Sequence, residues 1–173
     1  MRTLPRKKLP IGIQTFSEIR QEGHYYVDKT PQILQLIDQG KYYFLSRPRR
    51  FGKSLLIDTI AELFEGNRPL FEGLHAQDRW DWTRRYAVLR ISFGQGVLQS
   101  RAELDEKIRE LLAAECRRHG LVGGSASVSG EFTELIRGLH EHSGQRVVVL
   151  VDEYDKPILD NLTEPDVARR YSY

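Results

Sequence analysis

Two short stretches hold residues whose types and spacing suit chemistry on a nucleotide. The first is "FLSRPRRFGKSLL", residues 44–56, with Gly52, Lys53 and Ser54 in a row. In the phosphate-binding pattern G-x-x-x-x-G-K-[ST], backbone N–H groups and a helix N-terminus point at phosphates. The lysine reaches the β- and γ-phosphates and the hydroxyl binds Mg²⁺. Here the end of the pattern is present, but Arg47 stands where the first glycine belongs. That glycine normally lets the chain turn with positive φ. Arg47 followed by Pro48 disfavours such a turn, and Pro48 has no N–H to give. The approach to the loop must therefore differ, with Arg49 and Arg50 adding charge where backbone alone usually serves. Taken alone, the stretch is either a phosphate cradle or a solvated basic turn capping a helix.

The second stretch is "VVVLVDEYD", residues 147–155, an apolar run ending in Asp152 and Glu153. Such a pair fits the second nucleotide motif of P-loop ATPases. Asp152 would hold Mg²⁺, and Glu153 would orient and deprotonate the attacking water. Two acids also occur at plain solvent-exposed strand ends. Found together with a GKS turn upstream, they favour nucleotide binding.

The elements that must position these residues follow from periodicity and caps. Thr15 and Glu18 have capping-box spacing, which predicts a short helix over about 16–21. "HYYVDKT" reads as a brief strand or extended segment. Thr30 and Pro31 make an N-cap and first turn for a helix through Ile33, Leu34 and Ile37, closed by Gly40. "KYYFLS" has the look of a first core strand, over about 42–46. Leu55, Leu56, Ile60, Leu63 and Phe64 then recur at helical spacing. Residues 67–85 read as an irregular connection and "YAVLRISF" as a second strand. Ser100 and Glu103 open an amphipathic helix through Leu104, Ile108, Leu111, Leu112 and Cys116. A Gly/Ser loop over 120–130 leads to a helix carrying Phe132, Leu135, Ile136 and Leu139, and "RVVVLV" is the third strand. Near-continuous apolar strands alternating with helices predict an α/β domain with a parallel sheet. Ligands of such sheets sit beyond the carboxyl ends of the strands, where both motifs fall.

Composition is ordinary for a soluble globular protein: 173 residues, 40% hydrophobic, 29% charged, net charge +2. The charge is unevenly spread. Residues 1–54 hold eleven Lys/Arg against four Asp/Glu, so an anionic partner near the loop is expected. A single cysteine, Cys116, excludes an internal disulfide framework and fits a reducing compartment. No apolar run reaches membrane-span length, and the basic start leads into no signal-type apolar stretch, so the expected location is cytoplasmic.

"LPIGIQTFSEIRQEGHYYVDKT", "YYFLSRPRRFGKSLLIDTI" and "VVVLVDEYDKPI" together resemble a bacterial AAA-ATPase-like family. Its longer members often end in a PD-(D/E)XK-type nuclease domain. The resemblance runs from Leu9 to about Leu162, and the family's loop is typically written R-P-R-R-F-G-K-S, much as here. It implies a P-loop NTPase-like three-layer α/β domain with a mainly parallel sheet, C-terminally incomplete. In that reading the whole of 1–173 is one domain, with 1–40 an N-terminal extension and 41–173 the P-loop core. The resemblance also implies ATP and Mg²⁺ as ligands. Arg49, Arg50, Phe51, Gly52, Lys53, Ser54 and Leu55 would line the nucleotide, Ser54 and Asp152 would hold the metal, and Glu153 would be catalytic. Family proteins continue past the equivalent of Tyr173 with further strands and a polar sensor. Hydrolysis is therefore expected to be weak or absent here, with open strand edges prone to self-association. The missing C-terminal portion would supply the strand between those at 42–46 and 146–151. The strands at 86–93 and 146–151 should still pair in parallel.

Other residues have two readings each. Tyr25, Tyr26, Val27, Asp28 and Lys29 either line the base or ribose or form a structural segment beside the loop. Asp155 and Lys156 are either support for the metal site or a helix-start acid with a solvated lysine. His140 and His142 face different sides of a helix and form no metal site. Cys116 reads as core, and Trp80 and Trp82 as anchors of the long connection. Arg2, Arg6, Lys7, Lys8, Arg84 and Arg85 carry the alternative of a different class. In it the protein is a nucleic-acid-binding module with a vestigial nucleotide site.

Overall fold

A computed structural model gives the fold over residues 6–46, 48, 50–96 and 100–159, with side chains described as far as Pro157. The chain divides into two compact units, Met1–Arg85 and Tyr86–Tyr173.

In the first unit three helices, α1 (Phe16–Gln21), α2 (Thr30–Gln39) and α3 (Lys53–Phe64), precede two short 3-10 turns at Arg68–Phe71 and His75–Asp78. Phe16, Ile33, Leu63, Phe71 and Ala76 form its buried core, and Leu55, Leu56 and Ile60 of α3 pack against it. Phe16 meets the Tyr26 ring edge-on at 5.0 Å and Phe71 at 4.9 Å. Burying each such ring contributes about 1.5–3 kcal/mol. Trp80 packs on Phe64 and Trp82 on Phe71, both with ring centroids 5.2 Å apart, so the two tryptophans do anchor the long connection.

Two expected caps are replaced by longer-range bonds. Thr15 is the N-cap of α1, but its side chain makes no cap bond. The Phe16 N–H is instead taken at 2.6 Å by Asp58 Oδ2 of α3. A carboxylate is the stronger acceptor, and this one also ties α1 to α3. Helix α2 starts at Thr30 itself, with Lys29 as N-cap. Asp28 Oδ1 takes the Thr30 N–H at 2.8 Å, while Thr30 Oγ1 accepts from the Ala76 N–H at 3.0 Å.

Residues 42–46 do not form the expected strand. Tyr42 and Phe44 lie 94% and 73% exposed. A strand exists only with a hydrogen-bonded neighbour, and the described residues of this unit contain no other strand.

In the second unit β1 (Val88–Ser92) and β2 (Val148–Asp152) pair in parallel, in register from Val88↔Val148 to Ser92↔Asp152. Parallel strands need a long crossover, supplied by α4 (Arg101–Arg118) and α5 (Val128–Ser143). Leu89 and Ile91 of β1 pack with Leu112 and Cys116 of α4 and Leu135 and Leu139 of α5. Ser100 Oγ caps α4 by accepting from the Glu103 N–H, as its spacing predicts. Helix α5 begins earlier than expected, inside the Gly/Ser stretch. Ser127 Oγ accepts from the Gly130 N–H and so starts the helix there. A one-turn helix, α6 (Lys156–Leu159), follows β2. The architecture is α/β with parallel pairing. No helix among the described residues is long and apolar enough to cross a membrane.

Candidate functional site

Gly52 is the N-cap of α3 and sits in the left-handed region, φ 72° and ψ 28°. Its carbonyl accepts from the Leu56 N–H at 3.1 Å, which starts the helix. With no side chain at Gly52, the first turn of α3 has no side-chain cap. The N–H groups of that turn are the donors a helix otherwise satisfies with a cap, a water or an anion. Two residues earlier Arg50 is also left-handed, φ 66°. A non-glycine residue there costs about 1–2 kcal/mol. The positive φ expected from a first glycine is thus supplied at Arg50 and Gly52. Arg47 and Arg49 lie outside the described residues.

Arg50 and Phe51 are exposed, the latter by 63%, and Lys53 and Ser54 are half-buried. Leu55 packs against the core of its unit. Its side chain anchors the helix. Two further bonds fix α3: Thr59 Oγ1 donates to the Leu55 carbonyl at 2.8 Å, and the Tyr26 hydroxyl lies 3.4 Å from Thr59 Oγ1. Burial pushes the Tyr26 phenol up, partly offset by the bond with Thr59.

Within the 25–29 segment Tyr26 belongs to the core contacts, whereas Tyr25 and Val27 are exposed. Asp28 bridges the Thr30 and His75 N–H groups, each at 2.8 Å. Burial raises its carboxyl, but those backbone bonds outweigh burial and the net shift is downward. Lys29 is different. A Cβ built on Gly52 would lie 3.9 Å from Lys29 Nζ, so this ammonium sits beside the loop.

At the end of β2, Asp152 pairs with Ser92 in the ladder, and its carbonyl accepts from the Phe93 N–H at 3.2 Å. Asp152 Oδ1 accepts from the Glu153 N–H at 2.9 Å. Glu153 is left-handed, φ 52°. Its carboxylate lies against Gly94, where any Cβ would overlap Oε2. Lys156 Nζ donates to the Gly96 carbonyl at 2.5 Å in an exposed bond that ties the turn after β2 to the loop after β1. Among the described residues, Arg50 and Glu153 are the non-glycine residues with positive φ, one in each stretch picked out by sequence. Such outliers gather at functional sites.

Sequence reasoning placed the 25–29 segment at or beside the loop without singling out the Lys29 ammonium, and it missed Gly94 as the seat of the Glu153 side chain. Both are contacts between residues far apart in the chain, and no local pattern marks them. His140 Nδ1 pairs with the Gln145 carbonyl at 2.7 Å. Burial pushes the Cys116 thiol up, in keeping with a core residue. Of the basic residues in the alternative reading, Arg84 is paired with Asp81 at 3.2 Å. Arg6, Lys7, Lys8 and Arg85 are exposed, and Arg2 lies outside the described residues. Among the described residues no three His, Cys, Asp or Glu side chains cluster as a metal site.

Among known proteins the chain is similar to one from Azotobacter chroococcum mcd 1, whose name reads "Uncharacterized protein in vnfD 5'region". The two are 61% identical over 167 residues, which is 96% of this chain and 32% of the relative. The chain thus spans about a third of that protein's length. No solved structure matches it. The AAA-ATPase-like family model, described as "Predicted AAA-ATPase", matches residues 10–173, and the chain belongs to that family.

Proposed function

We propose that the chain binds ATP with Mg²⁺ through a divergent phosphate loop at residues 49–55, as part of a P-loop three-layer domain spanning 1–173. The observation that carries this is the pair of left-handed residues, Arg50 and Gly52, directly ahead of a helix whose first turn has no side-chain cap. That backbone offers N–H donors to an anion without a competing side-chain acceptor. Family membership supports a nucleoside triphosphate as that anion.

Lys53 is assigned to the β- and γ-phosphates and the Ser54 hydroxyl to Mg²⁺. Asp152 is the second metal ligand, and Glu153 is the base that orients and deprotonates water. When bound, Mg²⁺ supplies charge neutralisation on the phosphate oxygens. The left-handed turn at Glu153 and its support by Gly94 are in keeping with a side chain held for a purpose. Hydrolysis is proposed for the longer family proteins.

Titration of the purified chain with ATP, with and without Mg²⁺, tests the reading. Binding strengthened by Mg²⁺ and lost in Lys53→Ala supports it. Single-stranded DNA binding that falls steeply with salt, without ATP binding, would favour the nucleic-acid module instead.

A further inference from the structure

We propose that Lys29 is a second cation of the phosphate loop, contacting the polyphosphate chain of the nucleotide together with Lys53. The inference rests on the nucleotide-binding reading above and adds a residue that lies outside the GKS stretch.

Lys29 Nζ lies 3.9 Å from where a Gly52 Cβ would be, so the ammonium stands beside the backbone that opens α3. Because Gly52 has no side chain, that flank of the loop is left to Lys29. Residue 29 is held from both sides. Its carbonyl accepts from the Ile33 N–H at 3.1 Å, opening α2. Its neighbours Asp28 and Thr30 bond the His75 and Ala76 N–H groups. The base of this flexible side chain is thus cross-linked to a distant turn of the same unit.

The ammonium itself makes no ion pair or hydrogen bond among the described residues, while the adjacent Asp28 carboxylate gives one oxygen to each of two backbone donors. A half-buried cation beside uncapped N–H donors, in a stretch that also carries Arg50 and Lys53, concentrates positive potential at one place. A polyanion is the ligand that resolves it. Lysine suits such a ligand as a mobile point charge with three donors. The base and ribose carry no comparable charge, which assigns Lys29 to the phosphates rather than to the nucleoside.

The test compares wild type, Lys29→Met, Lys29→Arg and Lys53→Met. ATP–Mg²⁺ is titrated by calorimetry, and inorganic tripolyphosphate is used to displace a fluorescent ATP analogue. Lys29→Met is expected to weaken both probes about tenfold, with an unchanged melting temperature. Lys29→Arg should retain most of the affinity. If Lys29→Met melts early, Lys29→Gln replaces it, and rescue by arginine remains the deciding comparison. Wild-type affinity in Lys29→Met, with loss in Lys53→Met, overturns the Lys29 role and leaves the nucleotide reading standing. Weakened ATP with unchanged tripolyphosphate places Lys29 on the nucleoside side and overturns the proposal. A wild-type chain that binds neither probe overturns the nucleotide reading and this inference with it.

Discussion

Replacing Asp28 by alanine removes two hydrogen bonds at once, to the N–H groups of Thr30 and His75, each at 2.8 Å. The first fixes the turn leading into helix α2, and a hydrogen bond of this kind contributes about 0.5–1.5 kcal/mol. The second joins positions 47 apart in sequence. It lies exposed, so solvent competes for it and its share is small. Together they set an expected loss of about 1–2 kcal/mol at neutral pH. The loss should depend on pH with a definite sign. The folded carboxyl is held below its ordinary value of 3.8. Its contribution is therefore complete above that value and disappears as pH falls through the lower folded pKa. Urea unfolding of wild type and Asp28→Ala at pH 7 should show the full gap, and the same pair in strong acid should nearly coincide. Amide exchange at His75 should speed up in the variant at pH 7. A gap within about 0.5 kcal/mol at neutral pH, or one that persists unchanged in acid, would refute the bridging role of Asp28.

Gly52→Ala should lose about 1–2 kcal/mol in urea unfolding because its φ of 72° penalises any Cβ. Gly52→Asn should lose less, and equal losses would mean the loop relaxes. Leu89→Ala, at a fully buried β1 position, should cost about 2–5 kcal/mol and lower the urea midpoint of the second unit. Glu153→Gln should keep ATP affinity and abolish phosphate release in the longer family protein. Release at the wild-type rate would assign the base elsewhere.

How much of this was readable before the fold was seen depends on the range of the interaction involved. Helices α2 to α5 were legible because apolar spacing and serine caps are local signals. Parallel pairing of β1 with β2 was legible from two apolar runs separated by helical crossover segments. The strand expected at 42–46 was not, because an aromatic run becomes a strand only beside a partner. Thr15 has the right spacing for a cap, but Asp58, 42 residues from Phe16, takes the donor instead. Within the candidate site, the GKS turn and the Asp152–Glu153 pair were legible as motifs. The left-handed turn at Arg50 was not, since arginine is no turn signal. Lys29 beside Gly52 and Gly94 beneath Glu153 are tertiary contacts that spacing along the chain does not encode.

The central claim is that the backbone opening α3 holds a polyphosphate, and amide chemical shifts of the labelled chain on titration with ATP–Mg²⁺ test it most directly. The account predicts saturable shifts that are largest at Gly52, Lys53, Ser54 and Leu55, and that vanish in Lys53→Ala. Shifts confined to Arg6, Lys7 and Lys8 and abolished by salt, or none at the start of α3, would contradict it.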